Sequence, residues 1–189
     1  MASGDVLIRD PRALRALAHP DRLAILDRLA EVGEPQTATA LGGVVGISPS
    51  AASYHLRLLA RFGLVEDAGG GTGRNRPWRA VGTGFMFEPA DHVSPAGQAA
   101  AGLLGAELVA RGERESLEFI QSESSLPAEW RTASYLANKM LRLTAAEAGE
   151  LVRKLDELVE PYLRSTRPEP PADARAVRLL IRLFPREGA

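Results

Sequence analysis

Ile47-Ser-Pro-Ser-Ala-Ala-Ser-Tyr-His-Leu-Arg-Leu-Leu-Ala-Arg-Phe-Gly-Leu-Val65 reads as a helix with two unlike faces. Ser48 suits the N-cap, and Pro49 suits the first helical position, where its missing N–H has no intrahelical partner to lose. Ala52, Leu56 and Leu59 recur at helical spacing and form a stripe to be buried. The other faces carry Ser50, Ser53, Tyr54, Arg57 and Arg61. Short hydroxyl side chains at a helix start can approach base edges and phosphates, and arginines reach a polyanion from further along. Ser48, Ser50, Ser53, Tyr54 and Arg57 are therefore candidates for contact in a nucleic-acid groove, with Arg61 directed to phosphates. Gly63 supplies the stop, and Leu64-Val65 begins something extended.

Upstream, Thr37–Val45 is predicted to be a short helix. Gly42 is small enough for a close helix contact and Gly46 tolerates the positive φ of a turn, so the unit reads as helix, turn, helix. A plain helical hairpin would show the same pattern, and the residues that follow argue against it. Leu64–Glu66 is strand-like, Asp67-Ala-Gly-Gly-Gly-Thr-Gly73 is a flexible tip, and Arg74-Asn-Arg-Pro-Trp-Arg-Ala-Val81 is a return strand. Such a hairpin, directly after a recognition helix and carrying Arg74, Arg76 and Arg79, is a wing whose basic side chains can meet phosphates.

The segment His19-Pro-Asp-Arg-Leu-Ala-Ile-Leu-Asp-Arg-Leu29, the run from Gly46 to Leu59 and Phe62-Gly-Leu-Val65, taken in this order, resemble the winged helix-turn-helix of the ArsR/SmtB group of bacterial transcriptional regulators. The resemblance covers about residues 10–88. It implies a dimeric regulator that binds double-stranded DNA and whose first helix contributes to the dimer interface. The chain departs from the metal-sensing members in having no cysteine, so no metal and no other cofactor is expected.

Composition is ordinary for a globular chain: 45% hydrophobic and 25% charged residues, with a formal net charge of −1. That sum does not advertise a nucleic-acid binder, but the distribution does. Residues 53–79 hold five arginines against Glu66 and Asp67, whereas 89–189 carry 13 basic and 15 acidic residues. The N-terminus lacks a basic region followed by an apolar stretch, and no apolar run is long enough to span a bilayer, so a cytoplasmic protein without membrane contact is expected. There is no phosphate-binding glycine loop, no Gly-x-Ser-x-Gly elbow and no Cys-His pairing, which disfavours an enzyme. His19, His55 and His92 are expected to be structural or surface residues rather than metal ligands.

Along the rest of the chain, Asp10-Pro11 and Pro20-Asp21 open two supporting helices, and Gly33 ends the second. Residues 82–94 form a connector. Ser94-Pro95 opens a helix of up to 28 residues, small-sided from Gly97 to Ala106, suited to a subunit interface and open to a kink at Gly112. Trp130–Leu143 is expected to be mainly extended. Thr144–Glu147 is a capping box, and Ala148, Leu151, Leu155, Leu158 and Tyr162 trace a helix ending near residue 164. Val177–Phe184 alternates like a strand. Phe119, Trp130, Tyr135, Asn138, Met140 and Tyr162 have the chemistry to line a small-molecule pocket, but for each of them filling an ordinary core is the favoured reading.

The expected fold class is α+β, mainly α: a winged helix-turn-helix DNA-binding domain at 1–88 and a C-terminal helical or αβ extension at 89–189 for dimerisation and effector binding. The expected function is a homodimeric transcriptional repressor on a pseudo-palindromic operator, modulated by a small non-metal ligand. The alternative is a winged-helix interaction or dimerisation module that does not read DNA sequence.

Overall fold

The computed structural model describes residues 5–82, 84–87, 92, 94–163, 166–167 and 169–186, with the side chain of Arg74 outside the described set. The connector at 82–94 and the helix end near residue 164 therefore lie partly outside it.

Helix starts follow local chemistry. The Asp10 carboxylate caps α1 (Pro11–Leu17) by accepting from the Arg12 amide, and His19 Nδ1 caps α2 (Pro20–Val32) by accepting from the Asp21 amide. Thr37 caps α3 (Ala38–Val45), and Ser48 caps α4 (Pro49–Ala60) by accepting from the Ala51 amide at 3.1 Å. Each such cap satisfies one of the four amide donors a helix start leaves open. Gly46 ends α3 at φ 81°, a conformation that a Cβ disfavours, and the amides of both Gly46 and Ile47 return to Gly42 O.

Two small sheets complete this part. In one, β1 (Asp5–Leu7) pairs in parallel with β5 (Gly84–Met86), with Val6 opposite Phe85. In the other, β4 (Pro77–Ala80) lies between β2 (Gln36–Thr37) and β3 (Val65–Asp67), antiparallel to both, with Glu66 opposite Arg79 and Gln36 opposite Trp78. β3 and β4 are the two sides of the wing.

Helix α5 (Pro95–Ser122) is continuous through Gly112, so the chain is not split into two helices there. Gly112 is buried because the C-terminal tail crosses it: a Cβ there would meet an Arg182 guanidinium nitrogen at 2.8 Å and Leu180 Cδ1 at 3.1 Å. One core joins Leu14 and Leu17 of α1, Leu23, Ile25 and Leu29 of α2, Leu41 of α3, Leu56 and Leu59 of α4, Trp78 of β4, and Ala100, Ala101 and Leu104 of α5. The small side chains of α5 thus let it approach α1 of its own chain. The expected division at residue 88 falls just before a helix whose first half packs into the same core.

Beyond α5 the chain departs from expectation. Trp130 lies in a short helix, α6 (Ala128–Ala133), where the amides of Trp130 and Arg131 bond to Pro127 O; an extended segment was expected. Residues 134–143 follow without helix or strand ladder, and α7 (Ala145–Val159) starts on the expected capping box, Thr144 with Glu147. Val177–Phe184 has the alternation of a strand but joins no sheet among the described residues. Alternation reports which side chains share a face, and a strand also needs a neighbouring backbone, which is lacking here. The class remains mainly helical with small sheets.

Candidate nucleic-acid interface

Helix α4 turns its stripe inward completely: Ala52, Leu56 and Leu59 are 0% exposed. With that side fixed, the opposite side must face outward. Ser48, Ser50, Arg57 and Arg61 are exposed, Tyr54 is 58% exposed, and Ser53 is half-buried. Among the described residues, neither Arg57 nor Arg61 has a carboxylate within ion-pair distance, so both guanidinium groups remain available to an external anion.

The wing differs. Arg76 Nε lies 3.2 Å from Asp67 and its guanidinium sits 5.9 Å over the Trp78 ring, while Arg79 Nε donates to Glu66 at 2.6 Å. The Glu66–Arg79 contact is a cross-strand pair produced by the β3–β4 register, which sequence reading treated only as a charge balance. These pairs are more than 40% exposed, and such contacts contribute about 0–1 kcal/mol, so a phosphate can compete for the same arginines. The side chain of Arg74 lies outside the described residues.

Of the two roles expected for His55, structural or surface, the structure shows the first: it anchors the back of α4. His55 is 7% exposed, three residues beyond Ala52 and next to Leu56 on the inward side. The spacing 52, 55, 56, 59 was the available signal. Its ring lies 4.8 Å from that of His19, its Nε2 is 3.6 Å from an Asp21 oxygen, and its Nδ1 is 3.5 Å from the Arg22 guanidinium. Arg22 is itself buried and donates to Ala16 O. His19, Asp21 and His55 each offer one ligand atom within 4.8 Å of the others, a spacing from which a metal could be held. Arginine only donates, however, so Arg22 draws the neutral ring into accepting at Nδ1 and carrying its proton on Nε2, the nitrogen nearest Asp21. That tautomer suits a polar clamp between α2 and α4 better than a ligand set.

Burial, reinforced by the neighbouring His19 and Arg22, lowers the His55 pKa below 6.5 despite the opposing pull of Asp21. The folded state therefore binds fewer protons than the unfolded chain just below pH 6.5, and stability falls as the pH drops through that value. Thermal melts from pH 7.5 to 5 are expected to show this decline, and His55→Gln is expected to flatten it. An equal slope in the variant would remove His55 as the cause.

Away from α4, a cavity of about 670 Å³ lies between α2, α5, β5 and the C-terminal tail. Leu23, Leu26, Phe85 and Leu108 supply apolar wall, and Arg111 and Arg178 stand at its charged part, both paired with Asp27. None of Phe119, Trp130, Tyr135, Asn138, Met140 and Tyr162 lines it. Tyr135, Met140 and Tyr162 are each at least 70% exposed, so these residues do not converge into a pocket. No helix among the described residues is long and apolar enough to cross a membrane.

Residues 17–68, from the end of α1 through β3, match the family described as a helix-turn-helix domain. No curated protein matches the chain. The match covers the two helices and the supporting α2, so the chain carries a helix-turn-helix domain; it stops short of β4 and the whole C-terminal part.

Proposed function

We propose that this protein is a homodimeric DNA-binding transcriptional repressor of the ArsR/SmtB type. The observation that carries this reading is the outer face of α4, where Arg57 and Arg61 stand exposed and unpaired among the described residues beside Ser50 and Tyr54, on a helix fixed from behind by its fully buried stripe. Ser48, Ser50, Ser53, Tyr54 and Arg57 are assigned to the major groove, and Arg61, Arg74, Arg76 and Arg79 to phosphates. Residues 1–88 serve as the DNA-binding unit and 89–189 as the unit for pairing and effector binding, the two sharing the core on α5.

Pairing is supported by the outward side of α5. Ala99, Leu103, Ala106, Ala110, Glu113, Leu117 and Ile120 follow one another at alternating steps of four and three, with Leu103 57%, Leu117 58% and Ile120 50% exposed. A stripe with this repeat suits a second helix of the same kind. A two-fold pair presents two recognition helices, which fits a pseudo-palindromic operator in the cytoplasm. The cavity behind α2 is the place assigned to a small non-metal effector with an apolar body, and the protein acts by binding rather than catalysis.

Titration of DNA flanking the gene at several salt concentrations tests the reading. Arg57→Ala is expected to weaken specific binding by about 1–3 kcal/mol, and Arg76→Ala to weaken binding on all sequences and reduce the salt slope by about one. Unchanged isotherms in both variants would overturn the assigned surface. The Arg76–Asp67 and Arg79–Glu66 pairs favour a second reading, an interaction module whose wing charge is internally neutralised. Its mark would be DNA binding without sequence preference alongside tight binding of a protein.

A further inference from the structure

The C-terminal part leaves two stretches of backbone without partners. Among the described residues, no backbone hydrogen bond joins 135–143 or 177–184 to any other segment, and neither stretch is helical. Both are apolar: Tyr135 is 77%, Leu136 70%, Met140 70%, Val177 71% and Phe184 70% exposed. Between them, α7 half-buries Ala148, Leu151, Leu155 and Val159 along one stripe and fully buries none of its residues. Unpaired amides beside apolar side chains are a template for strand pairing, and monomers rarely leave apolar patches beyond a few hundred Å² uncovered.

The tail is also held where it cannot easily leave. The Arg175 guanidinium lies 5.4 Å over the Trp130 ring, Arg178 pairs with Asp27 and with Glu115, and Arg182 donates to Val109 O at 3.1 Å. These contacts lay 177–184 along α5, against Val109, which borders the exposed stripe on that helix, and Glu113, which belongs to it. The tail's open backbone thus runs beside the surface where the second copy is proposed to sit, while 135–143 of the same chain forms no ladder with it.

We propose that residues 135–143 of one copy pair as a strand with 177–184 of a second copy, and reciprocally, so that two sheets form between the chains with α7 covering one face of each. A two-fold pair satisfies both stretches at once. The large apolar side chains involved represent on the order of 1,000 Å², about what a specific dimer interface needs from each partner. The inference rests on the pairing of two copies proposed above, and not on DNA binding.

Light scattering and amide hydrogen exchange on the full chain at concentrations above and below its association midpoint test it. The expected result is a dimer in which 135–143 and 177–184 gain protection together, by about tenfold or more, as the dimer forms. Ile181→Pro, which removes one strand amide at a half-exposed position, is expected to lower protection of 135–143 as well, while 11–60 stay protected. A chain that is monomeric throughout overturns the pairing reading together with this inference. A dimer in which either segment exchanges like a free peptide, or protection independent of concentration, overturns the inference alone.

Discussion

Leu56→Ala is expected to lower the stability of the helix-turn-helix by about 2–5 kcal/mol, the range for deleting a fully buried leucine and leaving a partly collapsed cavity. Leu56 is 0% exposed at the centre of α4 and belongs to the core shared with α1, α2 and α5. For a chain of this size the loss corresponds to a Tm lower by roughly 5–20 °C, read by far-ultraviolet circular dichroism. Tyr54→Ala, two residues earlier on the exposed side, is the matched control and is expected to stay within about 0.5 kcal/mol of the parent. A Leu56→Ala melt indistinguishable from the parent would mean that α4 is not seated as described, and the orientation of its outer face would lose its basis.

The second large effect concerns two adjacent glycines with opposite signs. A Cβ on Gly42 would lie 2.8 Å from Ile47 O and 3.4 Å from Pro49 N, both backbone atoms that cannot rotate away. Gly42→Ala therefore forces the start of α4 away from α3, with an expected cost of about 1–3 kcal/mol. Because that start carries Ser48 and Ser50, DNA affinity is expected to fall even at temperatures where the variant is folded. A Cβ on Gly43 meets nothing within 4 Å, so Gly43→Ala in the same helix is expected to stabilise by about 0.5–1 kcal/mol through the lower entropy of the unfolded chain. Denaturant titrations of the pair decide the matter, since two shifts of the same sign would contradict the described α3–α4 contact.

The contrast between these glycines separates what local sequence determines from what it does not. A tight helix pair needs a small residue where its helices touch, which points to Gly42, and the close contact is there. Gly112, where the sequence suggests a kink or a break, admits Leu180 and Arg182 from a segment some seventy residues away, which no local pattern could announce. That His55 is structural is legible from its place beside Leu56 on the inward side, whereas its partners Asp21 and Arg22 are not. For the wing, the sequence located the arginines, while the strand register determined that Arg79 faces Glu66. The alternating run at 177–184 was legible as an apolar pattern but not as an unpaired one.

What the amino-acid sequence determined by itself is most of the helix starts, though not that of α6, and the inward stripe of α4. Asp10-Pro11, His19-Pro20, Ser48-Pro49 and Ser94-Pro95 each act within a single turn through one side-chain acceptor and one fixed φ, and the Thr144–Glu147 box through two reciprocal side-chain contacts; none needs anything distant. What only the tertiary structure decided is which surfaces meet: α5 against α1, His55 against Arg22, the tail across Gly112, and a C-terminal part left with its backbone open. Those outcomes depend on packing and on hydrogen bonds between residues far apart in the chain, where many pairings share the same local pattern and only the assembled core selects among them.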